Sequence, residues 1–453
     1  MPHVAKALDG YLSDFKRFEG NGAFRSPSWI RQIRKTAIGR FAELGFPTPG
    51  HPIPALREEW KHTSVAPIAR TRFTPAASEL NGLTAATLTG AGLGDFTGSQ
   101  LVFVNGRYSP ALSSLRLLPD GVRAGGLAAI LDADPGLVEP HLARYAGYED
   151  HPFVALNTAF LEDGAFVYIP NDAVVEAPIH LLFLSTVPDE ATVSHPRTLI
   201  VAGRDSRAAI LETYLGLADH AYFINAVTEV VAGENAVIDH YTLQQESEQA
   251  FHIATLQVHQ DRRSTFSSYS IALGGALVRT DLNVVLDGEG SECTLDGLYM
   301  AGGRQQLDNH TRVDHVKPHG TSRQLYKGIL DGAARGVFTG KIVVHPSAPK
   351  TDARQVNKNL LLSKDAMIDT TPQLEINNND VKCSHGSTIG RLDDDAIFYL
   401  RSRGIALDVA RGLLTYAFAS DIINRIKNVP LRAALDHLAL AWLQARHEPK
   451  ETL

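Results

Sequence analysis

Val278 to Gly303 reads VRTDLNVVLDGEGSECTLDGLYMAGG, and its texture is the one from which the fold is read. Val278, Thr280, Leu282, Val284 and Leu286 occupy every second position, which places them on one face of an extended strand. Asp287-Gly288, Asp296-Gly297 and Gly302-Gly303 then punctuate the chain, and such pairs favour turns because glycine adopts conformations that other residues avoid. The same texture extends outward from about Phe153: Ala165, Val167 and Ile169 alternate in AFVYIP, Gly274-Gly275 and Asp331-Gly332 mark further turns, and helical periodicity is absent. Many short strands with no helix between them predict a sandwich or a solenoid. A sandwich finishes in far fewer residues, whereas a solenoid grows coil by coil, each burying its apolar face on the next. No fixed period is visible, so the pattern alone leaves both open.

Helical patterns flank this region. Trp29, Ile30, Ile33, Ala37, Phe41 and Leu44 recur at helical spacing from Ser28, a candidate cap, and Gly45 with Pro47 and Pro49 ends the helix. Arg31, Arg34, Lys35 and Arg40 fall between the apolar positions and are expected on a solvated face. After Gly404, Leu407, Ala410, Leu413, Leu414, Ala417, Phe418 and Ile422 form one stripe, and Leu431, Leu435, Leu438 and Trp442 form another beyond Pro430. These two helices form a compact unit whose stripes either pack on each other and the sheet or dock a partner.

Hydrophobic residues make up 44% of the 453 and charged residues 21%, which excludes wholesale disorder. Lys and Arg number 43 against 50 Asp and Glu, and the net charge of -7 argues against nucleic-acid binding through phosphates. Two cysteines, Cys293 and Cys383, make neither a disulfide framework nor a four-cysteine metal site. The opening MPHVAKALDGYLSDFKRF lacks a signal-peptide core, and no segment approaches the ~20 apolar residues of a spanning helix. A soluble, cytoplasmic protein without membrane partners is expected.

Few residues carry obvious chemistry. His310 and His315 in DNHTRVDHVKPHG differ by five, so a straight strand sends them to opposite faces, and the turn at Lys317-Pro318 separates His319. Structural or surface roles are expected for all three, with Asp314 an ordinary hydrogen-bond partner. In VKCSHG, Cys383 and His385 lie two apart, on one face of a strand, where thiolate and imidazole suit iron or zinc. Two ligands leave such a site open, the rest coming from elsewhere in the fold, another chain or the substrate. The alternative is a buried Cys383 acting as a small hydrophobe and a hydrogen-bonded His385 at an edge. Asp393, Asp394 and Asp395 are assigned to helix capping. No G-x-S-x-G, Walker A or H-E-x-x-H motif occurs, so the chain is not expected to hydrolyse nucleotide. A polysaccharide-cleaving groove would need acids on one face, for which Asp281, Asp287, Asp296 and Asp308 offer no distinguishing spacing.

The run DTTPQLEINNNDVKCSHGSTIGRLDDDAIFYLRSRGI, Asp369 through Ile405, closely resembles the C-terminal signature of the SufB/SufD family of iron-sulfur cluster assembly proteins. EEWKHTS from Glu58, LNTAFLEDGAFVYIP, HPRTLIVAG from His195 and LETYLG from Leu211 extend the resemblance over most of the chain. KCSHG is the SufD form, and Leu400 stands where SufB-type chains carry a cluster-associated cysteine, so this chain is not expected to assemble a cluster alone. The resemblance implies a mainly β fold: a right-handed parallel β-helix over 151–385, after an N-terminal helical or mixed region over 1–150 and before a C-terminal helical domain over 386–453. It implies pairing with a SufB-like subunit through the β-helix ends, and docking of the ABC-type ATPase SufC through the C-terminal helices. Leu413, Phe418 and Trp442 are the candidate contacts. Cys383 and His385 are then placed at the SufB interface, holding iron or a nascent iron-sulfur cluster transiently, with FAD a candidate cofactor of the assembled complex. An isolated chain is expected to pair with itself through the same surface.

Overall fold

The computed structural model describes residues 2–20, 26–76, 83–84, 98–116, 118–186 and 190–447. Among them, eight parallel strands from Ala165–Ile169 to Met367–Ile376 form one sheet. Eight more, from Ile179–Ser185 to Lys382–Gly390, belong to a second, which Ser99–Val104 extends in parallel. The chain passes through the two sheets in turn, making a parallel β-solenoid of about eight coils. The expected β-helix is therefore present. Val278, Leu282, Val284 and Leu286 all lie in the core cluster between the sheets, as their alternation requires.

Corner geometry explains why no period is visible in the sequence. Phe251 lies opposite Leu277, Leu277 opposite Gln306 and Arg335 opposite Met367, steps of 26, 29 and 32 residues. Strands in this region stay near ten residues, whereas the corner between the sheets grows from 261–264 to 345–351. Seven successive corners each place one residue in the left-handed region, at φ between 54° and 72°: Asp172, Asp205, Asn235, Arg263, Gly290, His319 and Lys350. The backbone N–H of each donates to a carbonyl of the following coil, as from Arg263 to Glu289, Gly290 to Pro318 and His319 to Pro349, each at 3.0 Å. Stacked corners thus satisfy backbone groups that would otherwise be orphaned.

The two ends of the solenoid differ. At the first, Ser99–Val104 pairs with Ile179–Ser185 and Arg123–Gly126 runs antiparallel to Ala165–Ile169, capping the opening coil. At the other, Met367–Ile376 and Lys382–Gly390 each end their sheet, with a ladder on one side only among the described residues.

Helices cover the two outer faces. Pro2–Gly20 and Ser28–Leu44 pack with Pro152–Ala159 over the first sheet, bringing Phe41, Phe46, Trp60 and Phe153 against Phe223 and Ile253. Three expectations are corrected here. Strand texture does not begin at Phe153, because Pro152–Ala159 is helical and wholly buried, so its apolar run shows no amphipathic period. Ser28 is not a cap: Pro27 holds that position in an extended conformation, and no side chain caps the helix. Arg34 does not sit on a solvated face; it is 3% exposed and its Nε donates to the Leu161 carbonyl at 2.7 Å.

Of the C-terminal helices Asp394–Ser402, Leu407–Ile423 and Val429–His447, the first packs on the second, and the second and third lie on the outer face of the second sheet. Asp393 caps the first, its Oδ1 accepting from the N–H of Asp395 at 2.9 Å, as the acidic run predicts. Ala419, Ile422, Leu431 and Leu435 meet Leu211, Tyr241 and Leu298 of the sheet. The buried stripe is rotated from the expected one: Ala410, Thr415, Ala419 and Ile422 face inward, while Leu407 and Leu413 face out. A helix apolar on most of its circumference does not declare which side the core takes.

Candidate functional site

Cys383 and His385 stand on the last strand of the open coil. They oppose Ala353 and Gln355, which are 1% and 0% exposed and face the solenoid interior. Cys383 and His385 therefore project from the interior-facing side of a strand with no coil beyond it. Their spacing of two puts both donors on one face, as the sequence predicts. Asn378 and Lys350 hold the preceding turn: Asn378 Nδ2 donates to the Pro346 carbonyl at 2.8 Å, and Lys350 Nζ to Asp380 at 2.9 Å.

The two donors have different surroundings. Cys383 packs against the apolar cluster of Ile342, Val344, Ala348 and Ala353, and burial pushes its thiol pKa up, partly offset by a hydrogen bond with the Ala353 backbone. A thiol held in this way binds metal only by releasing its proton. His385 is exposed. Among the described residues no group of three or more His, Cys, Asp or Glu side chains could hold a metal ion.

The other histidines do not converge. His310 lies on the outer face with Nε2 3.0 Å from Asp308 Oδ1. His315 points into the core, where Nε2 meets Ser322 Oγ at 2.9 Å and burial lowers its pKa to about 4. His319 is an exposed left-handed corner residue. Asp314 takes both Nε and Nη2 of Arg312, at 2.6 and 2.8 Å. Cys293 is buried in the core, with its pKa pushed well up by desolvation.

The four aspartates weighed for a sugar-cleaving groove are likewise dispersed. Asp281 and Asp308 share the buried Arg279 guanidinium, at 2.8 and 3.3 Å, together with Glu59; Asp287 lies at a corner 3.9 Å from Lys317; and Asp296, on the other sheet, faces Arg425 in the connection between the last two helices. Arg279 also lies 3.7 Å from the Trp60 ring centroid. Thr63 Oγ1 donates to Asp308 at 2.5 Å, and the His62 carbonyl accepts from Gln306 at 2.9 Å. The EEWKHTS segment is thereby clamped to the solenoid. A groove of about 520 Å³ beside it is lined by Glu58, His62, Asp281, His310, Arg312 and Lys341, with Arg312 paired to Asp314 and Lys341 to Glu375 at 2.7 Å.

The other resembling segments also have structural work. In HPRTLIVAG, the wholly buried Arg197 pairs with Glu229 at 2.6 Å, and Glu229 accepts from the N–H groups of Ala143, Tyr145 and Ala146. In LETYLG, Glu212 accepts from Tyr214 at 2.9 Å and Thr228 at 3.0 Å, and its Oε1 lies 3.2 Å from His240 Nε2 inside the coil.

Of the candidate docking residues, Leu413 is 47% exposed. Phe418 and Trp442 instead pack partly buried against the cluster joining helices to sheet, and Lys327 Nζ lies 4.4 Å from the Phe418 ring centroid. Phe398, Tyr399, Leu407 and Val409 share the exposure of Leu413, with Phe398 at 74%. Sequence reading missed Phe398, Tyr399 and Val409; an apolar pair beside charged residues at a helix start was the signal for the first two. Leu400 lies on that same helix.

Comparison with known proteins agrees with this arrangement. The SUF system FeS cluster assembly SufBD core domain matches residues 183–418, and the SufBD protein N-terminal region matches residues 6–181. An iron-sulfur cluster assembly SufBD family protein of Synechocystis is 36% identical over 83% of this chain and 84% of its own length. The iron-sulfur cluster assembly protein SufD of Escherichia coli is 31% identical over 95% of this chain and 96% of its own. SufD of Bacillus subtilis is 25% identical over 89% and 91%. No helix among the described residues is long and apolar enough to cross a membrane. From its coiled core to its terminal helices, the chain belongs to the SufBD family of iron-sulfur cluster assembly proteins.

Proposed function

We propose that this chain is the SufD-like subunit of a SufBCD-type scaffold in the cytoplasm, and that its open coil forms the interface with a SufB-like partner. Cys383 and His385 hold iron or a nascent cluster there, with the partner supplying the remaining ligands. The observation that carries this reading is the open end itself: two unpaired edges present a thiol and an imidazole on one face. Edges of this kind are normally covered by another chain or blunted. Thiolate and imidazole together suit iron, and a two-donor set has room for a second protein's ligands.

The exposed apolar side chains of Phe398, Tyr399, Val409 and Leu413 suit a docked ABC-type ATPase. ATP binding on that partner draws two ATPase subunits together, and the C-terminal helices transmit the motion to the interface. Such a shift requires that ATP-bound partners favour the open arrangement. This chain then needs no nucleotide site of its own.

Anaerobic co-purification with SufB- and SufC-type partners tests the reading. Iron and sulfide are compared between the parent and the double variant Cys383→Ala, His385→Ala, and bound flavin is read in the same preparations. Equal complex yield with a cluster content several-fold lower is expected. Unchanged iron and sulfide would make this chain a purely structural partner whose Cys-His pair is incidental.

A further inference from the structure

One coil beneath His385, the interior carries an incomplete hydrogen-bond ladder. Gln324, Gln355 and His385 are successive register partners on the interior face of the second sheet. Gln324 Oε1 accepts from Thr311 Oγ1 at 2.9 Å and meets Gln355 Nε2 at 3.5 Å. The amide nitrogen of Gln355 is thus directed to the coil below. Its oxygen has no partner among the described residues, although Gln355 is fully buried. A buried amide oxygen left unpaired forfeits its hydration without compensation, so its persistence calls for a donor.

The opposite sheet makes room for this side chain. A Cβ at Gly340 would stand 1.4 Å from Gln355 Nε2, so Gln355 spans the interior into space that any other residue at 340 would fill. Above Gly340 lies Pro372, and above Gln355 lies His385, both on the last coil. Pro372 has no N–H to give. Gln355 is therefore the floor of the open coil, with an acceptor one layer below an imidazole.

We infer that Gln355 is a positioning residue for His385: the imidazole, exposed in this arrangement, turns down onto the floor of the coil, where the amide oxygen accepts the N–H of one ring nitrogen and leaves the lone pair of the other for incoming metal. Fixing one imidazole nitrogen through a hydrogen bond sets the tautomer and ring orientation of metal-binding histidines. The metal-presenting part rests on the function proposed above; the hydrogen bond does not.

The test separates the two. In the full-length, metal-free chain labelled with ¹⁵N-histidine, His385 is assigned by difference against His385→Ala and its two ring nitrogens are observed by NMR. One protonated and one bare nitrogen, well separated, are expected in the parent. In Gln355→Met, which keeps the volume and loses the acceptor, the two signals move toward each other; in Gln355→Glu, which restores an oxygen, they separate again. Unchanged His385 signals in Gln355→Met, or no recovery in Gln355→Glu with both variants folded, would overturn the inference. Should Gln355→Met unfold, Gly340→Ala, which drives the Gln355 amide from its place, gives the same readout. Co²⁺ titration of the same proteins then reads the metal part, where loss of such a supporting contact weakens binding about 10- to 100-fold. Equal Co²⁺ affinity in the parent and His385→Ala would refute the metal reading while leaving the tautomer result to stand or fall by itself.

Discussion

At the scale of single residues, the Cys383–His385 pair was legible because strand geometry turns a spacing of two into a shared face. Gln355 was not, since nothing in ARQVNKN distinguishes a glutamine that crosses the core from one in solvent. Its role depends on Gly340, fifteen positions earlier and on the other sheet, a relation no local pattern encodes. Asp296 is another such case, read from the sequence as part of a turn and as a candidate groove acid, whereas it lies within the strand Glu292–Ala301. It lies buried 3.5 Å from Arg425 between the last two helices, and desolvation pushes its pKa up to about 6 against the attraction of that arginine. A carboxyl raised in the folded state contributes most below its unfolded pKa, near 4, and that contribution is lost as pH rises through 6. Asp296→Asn should therefore raise stability at pH 7.5, by up to about 3 kcal/mol for a shift near two units, and have little effect at pH 4. Urea unfolding of the two proteins at both pH values checks this. A variant less stable at pH 7.5 would show that the Arg425 contact outweighs the desolvation of Asp296.

At the scale of elements, alternation and helical period located the β core and the terminal helices, but neither revealed the coil boundaries. The corners explain the loss: the recurring left-handed position is filled in turn by Asp, Asp, Asn, Arg, Gly, His and Lys, and only some of these are turn-forming residues. Lys350 and His319 adopt that conformation because the stacked backbone hydrogen bonds of neighbouring coils hold it, not because their side chains prefer it. The C-terminal helices show the complementary failure. With leucines on several sides, the period identified a helix but not its buried face, and small Ala410 and Ala419 turned out to lie against the core while Leu413 faces solvent. This separates the docking candidates by experiment. On the proposed function, Leu413→Glu should weaken capture of an ABC-type ATPase at least 10-fold with an unchanged circular dichroism spectrum. Trp442→Glu, placing a charge in the packed cluster, should instead loosen the helical unit itself and lower its melting temperature. An unaltered ATPase affinity for Leu413→Glu would remove this patch from the interface.

At the scale of the whole molecule, the decisive feature is that the solenoid is capped at one end and open at the other. Adding a coil buries the apolar face of the coil before it, so the last coil of any solenoid exposes a face that has nothing left to cover it. Here that face includes Ile376 and Ile389, the latter 53% exposed, beside strands whose outer backbone groups have no ladder partner. No bulge or proline-rich edge blunts Lys382–Gly390, and its glycine and serine residues leave the backbone accessible. On the proposed function these sheets continue into another subunit, and an isolated chain pairs its open coil with that of a second copy. Two copies related by a two-fold axis bring each edge against its equivalent, a closed arrangement that cannot propagate into fibres. Sedimentation equilibrium of the isolated chain should accordingly show a reversible dimer. Ile389→Lys should weaken it by at least 10-fold, since a buried lysine opposes its own symmetry mate, while leaving thermal stability unchanged because position 389 supports no other coil. Adding a SufB-type partner should dissolve the dimer into a heterodimer that the same substitution also weakens. A chain that remains monomeric throughout, with a heterodimer indifferent to Ile389→Lys, would place the joining surface elsewhere on the solenoid.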